Sequence, residues 1–111
     1  MSSDCIFCKI IAKEIPSEFI YEDDDVIAIR DISPQAPVHL LMIPKKHIRS
    51  INNLEAGDEA LVGRMFSVAK SLAEKEGTHE SGYKLLFNVE KGGGQEVFHL
   101  HLHLIGGFDR K

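Results

Sequence analysis

Six residues near the end of the chain, His99-Leu100-His101-Leu102-His103-Leu104, alternate histidine and leucine without a break. A strict period of two suits a strand and no helix, because successive strand side chains point to opposite faces. The pattern predicts a strand over residues 97–105. Leu100, Leu102 and Leu104 face a core, and three imidazoles line the other face, each about 6.6 Å from the next at ~3.3 Å per residue. Three readings compete for such a face. It can be a solvated polar edge, although such positions more often carry Thr, Lys, Ser or Glu. It can be a metal site, since alternating histidines can ligate zinc. It can also serve phosphate chemistry, with one imidazole as nucleophile and another as proton donor or phosphate contact. The upstream Gly92-Gly93-Gly94 favours the third, because such a loop can turn several backbone N–H groups toward an anion.

The rest of the chain supplies a frame for that strand. Residues 5–13 carry Ile6, Phe7, Ile10 and Ile11 at helical spacing, and Pro16 with the polar residues before it ends the helix. Residues 19–22 and 26–30 read as a hairpin around the solvated acidic turn Glu22-Asp23-Asp24-Asp25. Two prolines in residues 31–37 impose a loop, and residues 38–43 form a strand closed by Pro44. A long helix starts between Leu54 and Asp58 and stops at Gly77, with Leu61, Val62, Met65, Phe66, Ala69, Leu72 and Ala73 as its apolar stripe. Residues 82–89 read as a strand and residues 90–95 as a loop. Short connections between about five strands and two helices predict an α+β fold. Its sheet is antiparallel, with the long helix on one face and one domain over residues 5–111.

Composition narrows the partners. The 111 residues are 43% hydrophobic and 27% charged, which suits a globular domain and argues against disorder. A net charge of -4 gives no electrostatic footprint for duplex nucleic acid, and no apolar run reaches the ~20 residues of a membrane span. Met1-Ser2-Ser3-Asp4-Cys5 has no basic region leading into an apolar one, so the expected address is cytoplasmic. In a reducing compartment the pair Cys5 and Cys8 is a metal or redox feature before it is a disulfide. Without a thioredoxin-like context zinc is the better reading. Two thiolates cannot close a tetrahedral site, and six histidines are available to complete it.

Several spaced motifs, in order, carry a resemblance over nearly the whole chain. His99 to Ile105 resembles the histidine-triad signature, in which three histidines alternate with apolar residues. Asp31-Ile32-Ser33-Pro34-Gln35-Ala36-Pro37, His39, Ile43-Pro44-Lys45-Lys46-His47 and Gly93-Gly94-Gln95-Glu96-Val97-Phe98-His99 resemble its nucleotide-binding Hint branch. The resemblance implies a homodimer that hydrolyses the P–N bond of adenosine 5′-phosphoramidates. His101 is then the nucleophile, which takes a covalent nucleotidyl group. His103, His39 and Asn88 contact the α-phosphate, and Asp31 holds the ribose. Phe7, Ile29 and Ile32 line the base pocket, and Gly94, Gln95 and Val97 fall among the nucleotide-binding positions. It also implies a structural zinc on Cys5, Cys8, His47 and His99, with no catalytic metal. Alternatives are a nucleotide-binding scaffold with vestigial catalysis, or a dinucleoside polyphosphate hydrolase or nucleotidyl transferase as in sister branches. Two departures bear on the leaving group. Glu96 stands where some relatives carry a serine that assists its protonation, and the C-terminus Phe108-Asp109-Arg110-Lys111 is short.

Overall fold

The computed structural model describes residues 4–110, so the readings placed on Met1-Ser2-Ser3 and on Lys111 lie outside the described residues. The elements run α1 (Ile6–Ile11), β1 (Tyr21–Glu22), β2 (Val26–Arg30), β3 (Val38–Pro44), α2 (Glu59–Lys75), β4 (Tyr83–Leu86) and β5 (Leu102–Gly106), with 3-10 turns at Ile51–Asn53, Ala56–Asp58 and Lys91–Gly93. The five strands form one antiparallel sheet in the order β1-β2-β3-β5-β4. The α+β expectation therefore holds.

Strand alternation sorts the core into two layers. Val26, Ala28, Val38, Leu40, Met42, Leu102 and Leu104 pack against Met65, Val68, Ala69, Leu72 and Ala73 of α2. Ile27, Ile29, Leu41 and Ile43 point to the other face, under Phe7 and Ile10 of α1. Both faces of β2 and β3 are thus covered, which is why these strands read as continuous apolar runs.

Several boundaries differ from the sequence reading. The strand expected over residues 97–105 begins only at Leu102. Pro44 has no N–H to continue the β3 ladder. Its carbonyl takes a hydrogen bond from the His99 ring at 2.8 Å, and the Leu100 N–H turns to Ile48 O at 2.6 Å. The alternation survives outside the ladder, because Leu100 still packs in the α2 layer. The strand expected over 82–89 is cut to Tyr83–Leu86, since β5 offers ladder partners only as far back as His103. The first helix ends at Ile11, well before Pro16, where Lys13 turns into the left-handed region at φ 63°. Phe66 leaves the buried stripe of α2 at 41% exposure and meets Phe87 edge-on, and Val68 takes its place. The stop at Gly77 (φ 75°) is as expected.

The acidic turn is more than a solvated loop. Asp23 accepts the N–H groups of Asp25 and Val26 at 2.7 and 2.8 Å, and Arg64 of α2 grips its other oxygen at 2.6 Å. The β1–β2 hairpin is thereby tied to the long helix.

Leu102 is fully buried between β5 and α2. Leu102→Ala should cost about 2–5 kcal/mol of unfolding free energy in urea titration. Ile32→Ala, at a side chain 97% exposed, should stay within about 0.5 kcal/mol of the parent.

Candidate functional site

The side of the sheet opposite α2 holds a cavity of about 310 Å³, open at one end. Phe7 of α1, Ile29 of β2 and Val97 form its apolar wall, with Ile32 at the rim. Asp31, Asn88, Gly94, His101 and His103 supply its polar groups. Nine of the residues singled out in the sequence therefore meet at one cavity. The reading missed Ile6 and Leu41, which also line it. Leu41 had a signal: it lies two residues from His39 on β3 and so shares that face.

The histidines are linked so that each tautomer follows from its neighbours. His101 is buried, and its Nδ1–H donates to the His99 carbonyl at 2.7 Å. The Nε2 lone pair is therefore free for a ligand. His39 is buried behind the cavity. Its Nδ1 accepts the Gln35 N–H at 3.1 Å, so its Nε2 carries the proton and donates to His103 Nδ1 at 2.9 Å. His103 must then carry its own proton on Nε2. That atom is buried without a hydrogen-bond partner among the described residues. An unsatisfied buried donor costs about 1–3 kcal/mol, so a ligand acceptor placed there recovers that cost. Asp31 Oδ2, 3.5 Å from His39 Nε2, completes the group.

Burial keeps these rings neutral. It lowers His101 against the opposing pull of the His99 carbonyl and the Asp31 and Glu96 carboxylates, and lowers His39 against Asp31. His103 is pushed down to about 4 by burial and by the neighbouring His101 and His39. A neutral imidazole with a free lone pair is a nucleophile at pH 7. Asp31, His39 and His103 lie close enough to hold an ion, but the Gln35 N–H occupies His39 Nδ1 and leaves its Nε2 protonated. The trio is a hydrogen-bond relay.

The glycine-rich segment is held from behind. Glu90 sits at φ 60°, a strained value for a residue with a side chain. Its carboxylate takes hydrogen bonds from Arg49 at 2.9 Å and Ser50 at 2.7 Å. Gln95 is buried and does not reach the cavity. Its amide donates to Arg49 O and Val97 O at 2.7 and 3.0 Å and accepts the Glu90 N–H at 2.7 Å. Glu96 lines the cavity mouth with its carboxylate exposed.

A second constellation lies beside the first. Cys5 caps α1, its sulfur accepting the Cys8 N–H at 3.3 Å. His99 Nδ1 lies 3.3 Å from Cys5 Sγ, 3.6 Å from Cys8 Sγ and 3.1 Å from His47 Nδ1, and Cys8 Sγ lies 3.3 Å from His47 Nδ1. Zinc bonds of ~2.3 Å to sulfur and ~2.0 Å to nitrogen set tetrahedral donors about 3.3–3.8 Å apart, so the four atoms fit one such cation. His99 Nε2–H is spent on Pro44 O, which leaves Nδ1 as the lone pair facing the cluster. Burial pushes His99 down to about 4, in the neutral form a ligand needs. Burial and the adjacent Cys5 thiol push Cys8 up to about 11. Two thiolates side by side call for a positive charge between them.

The fold and the sequence have known relatives. A HIT domain family model matches residues 12–110. The purine nucleoside phosphoramidase of Escherichia coli (strain K12) is 52% identical over 107 residues, which span 96% of this chain and 90% of the relative. Two solved structures share the fold. The HIT family hydrolase from Legionella pneumophila Philadelphia 1 superposes with a TM-score of 0.91 at 55% identity, over 94% of this chain and 93% of that one. The HIT family hydrolase from Clostridium thermocellum reaches 0.94 at 45% identity, over 100% and 96%. With the histidine segment, the cavity and these similarities together, the chain belongs to the HIT domain family.

Proposed function

We propose that this HIT-family hydrolase cleaves the P–N bond of purine nucleoside 5′-phosphoramidates through a covalent nucleotidyl-His101 intermediate. One observation carries the reading. His101 Nε2 is a fixed lone pair, and His103, which lines the same cavity, has a buried Nε2–H without a partner among the described residues. The name of the E. coli relative supports the substrate class.

The steps follow from the residues. The base enters between Phe7, Ile29, Val97 and Ile32, and Asp31 accepts from the ribose hydroxyls. His101 Nε2 attacks the α-phosphorus, and the P–N bond breaks as the leaving nitrogen takes up a proton from solvent at the open end of the cavity. Charge on the phosphoryl oxygens is met by His103 Nε2–H, the Asn88 amide and the Gly94 segment, donors already in place before reaction. His39 acts through His103 by fixing its tautomer. The imidazolium that forms at His101 lies in the field of Asp31 and Glu96. Water then attacks the phosphorus and gives a proton to solvent, and the P–N(His101) bond breaks with its electron pair returning to Nε2, which releases the nucleotide.

His101→Ala should lower turnover by at least about 10³ while nucleotide binding persists. His103→Ala should be milder. Rapid quench with a labelled substrate and peptide mass analysis should find the nucleotidyl group on His101. Label on His103, or substantial turnover by His101→Ala, overturns the mechanism.

The same reading gives Cys5, Cys8, His47 and His99 a structural zinc, whose closed four-ligand shell offers no position for substrate. Protein purified without added metal should contain close to one zinc per chain by elemental analysis. Cys8→Ala should lose it and melt at a lower temperature. Metal-binding thiols suit a reducing compartment such as the cytoplasm.

A homodimer completes the proposal. β4 is an edge strand beside the half-exposed Phe66 of α2, and a second copy can extend sheet and helix across a two-fold axis. Sedimentation at micromolar concentration should give twice the 12.4 kDa chain mass; a species at the chain mass counts against it.

A further inference from the structure

The carbonyl that fixes the His101 tautomer belongs to His99, and His99 is also the shared member of the thiol–imidazole cluster. The two sites are therefore joined through one residue. What holds that carbonyl in place is the question. His99 and His101 lie outside the β5 ladder, so no sheet register fixes the peptide between them. The remaining anchors are few. The Leu100 N–H bonds Ile48 O, and the His99 ring is held on one nitrogen by Pro44 O and on the other by the cluster. The Phe7 ring lies edge-on to both imidazoles, with centroids 5.9 Å from His99 and 5.1 Å from His101. Phe7 stands between Cys5 and Cys8 on a helix of only six residues. A helix that short does not hold itself together in water, so its tether to His47 and His99 governs where Phe7 sits.

Resting on the proposed role of His101, we infer that Cys5, Cys8 and His47 are positioning residues for the reaction: loading of their cluster holds His99, and the His99 carbonyl holds the nucleophile with Nδ1 protonated and Nε2 bare. An unloaded cluster leaves the His99 ring tied to the Pro44 carbonyl and, on Nδ1, to weak thiol donors, and lets α1 shift. The 2.7 Å bond at the His99 carbonyl then weakens, and His101 divides between its two tautomers. Only the form with a bare Nε2 attacks, so turnover falls with that population. The phosphate and ribose contacts of Asp31, Asn88 and His103 do not follow it, whereas the base wall at Phe7 moves with α1.

The experiment compares the zinc-loaded wild type, the same protein after chelation, and Cys8→Ala. Cys8 is not itself a lining residue of the cavity. Long-range 1H–15N spectra of the ligand-free protein distinguish protonated from bare ring nitrogens and report the His101 tautomer without any turnover. The loaded protein should show one form, protonated at Nδ1, and the other two should show a mixture. With a purine nucleoside phosphoramidate, kcat should fall about 10–100-fold, a loss that saturating substrate does not recover, while any rise in KM reports the movement of Phe7. Adding zinc back to the chelated wild type should restore spectrum and kcat together, and should do neither for Cys8→Ala. If Cys8→Ala does not fold, the chelated wild type decides. An unchanged His101 spectrum or an unchanged kcat in metal-free protein overturns the inference, as does a wild type that binds no metal. Failure of the proposed activity looks different: the loaded wild type would not turn over, whereas the tautomer readout would still respond to metal.

Discussion

A helix of six residues covers the second face of a five-stranded sheet, and much of the rest depends on how it stays there. The 17-residue α2 covers its own face with five buried side chains. α1 fully buries only Phe7 and Ile10, and a helix of that length is marginal in water by itself. The thiol–imidazole cluster brings donor atoms from the start of α1, from just beyond β3 and from the segment before β5 to one point. The cavity lies where α1 stops covering the sheet. The same shortness that makes the helix weak leaves the histidine face accessible to a ligand.

Within the cavity the decisive feature is direction. Three buried imidazoles near one another could present any mixture of donors and lone pairs. Here the Gln35 N–H at one end and the His99 carbonyl at the other assign every proton. The result is a bare nitrogen on His101 and a donor on His103, set before any ligand arrives. Burial reinforces this by holding both rings in the neutral form, and the nearby Asp31 pulls the other way on each.

Much of the fold was legible because its signals are periodic. Alternation marked β5, and the three- and four-residue spacing in α2 marked the long helix with its stop at Gly77. Boundaries were less so, because a strand ends where its partner ends. Nothing in residues 82–89 shows that β5 offers no ladder partner beyond His103. Gln95 shows the same limit. Its motif marked it as part of the nucleotide-binding segment, but its amide is consumed in holding Glu90, Arg49 and Val97 together. A glutamine beside glycines looks the same whether it faces a ligand or the backbone behind it.

The sequence by itself determined the residue types and their faces: leucines on one side of the last strand, histidines on the other, two thiols one helical turn apart, and a loop able to hold an anion. Those follow from local backbone geometry, which fixes where neighbouring side chains point. Only the tertiary structure decided which groups each histidine ring meets. His99 joins the cysteines because Pro44 breaks the ladder and turns that segment toward α1. His39 joins His103 because β3 and β5 are adjacent in the sheet. Tautomers depend on hydrogen-bond partners 64 residues apart in the chain, and such pairings exist only once the strands have found their register.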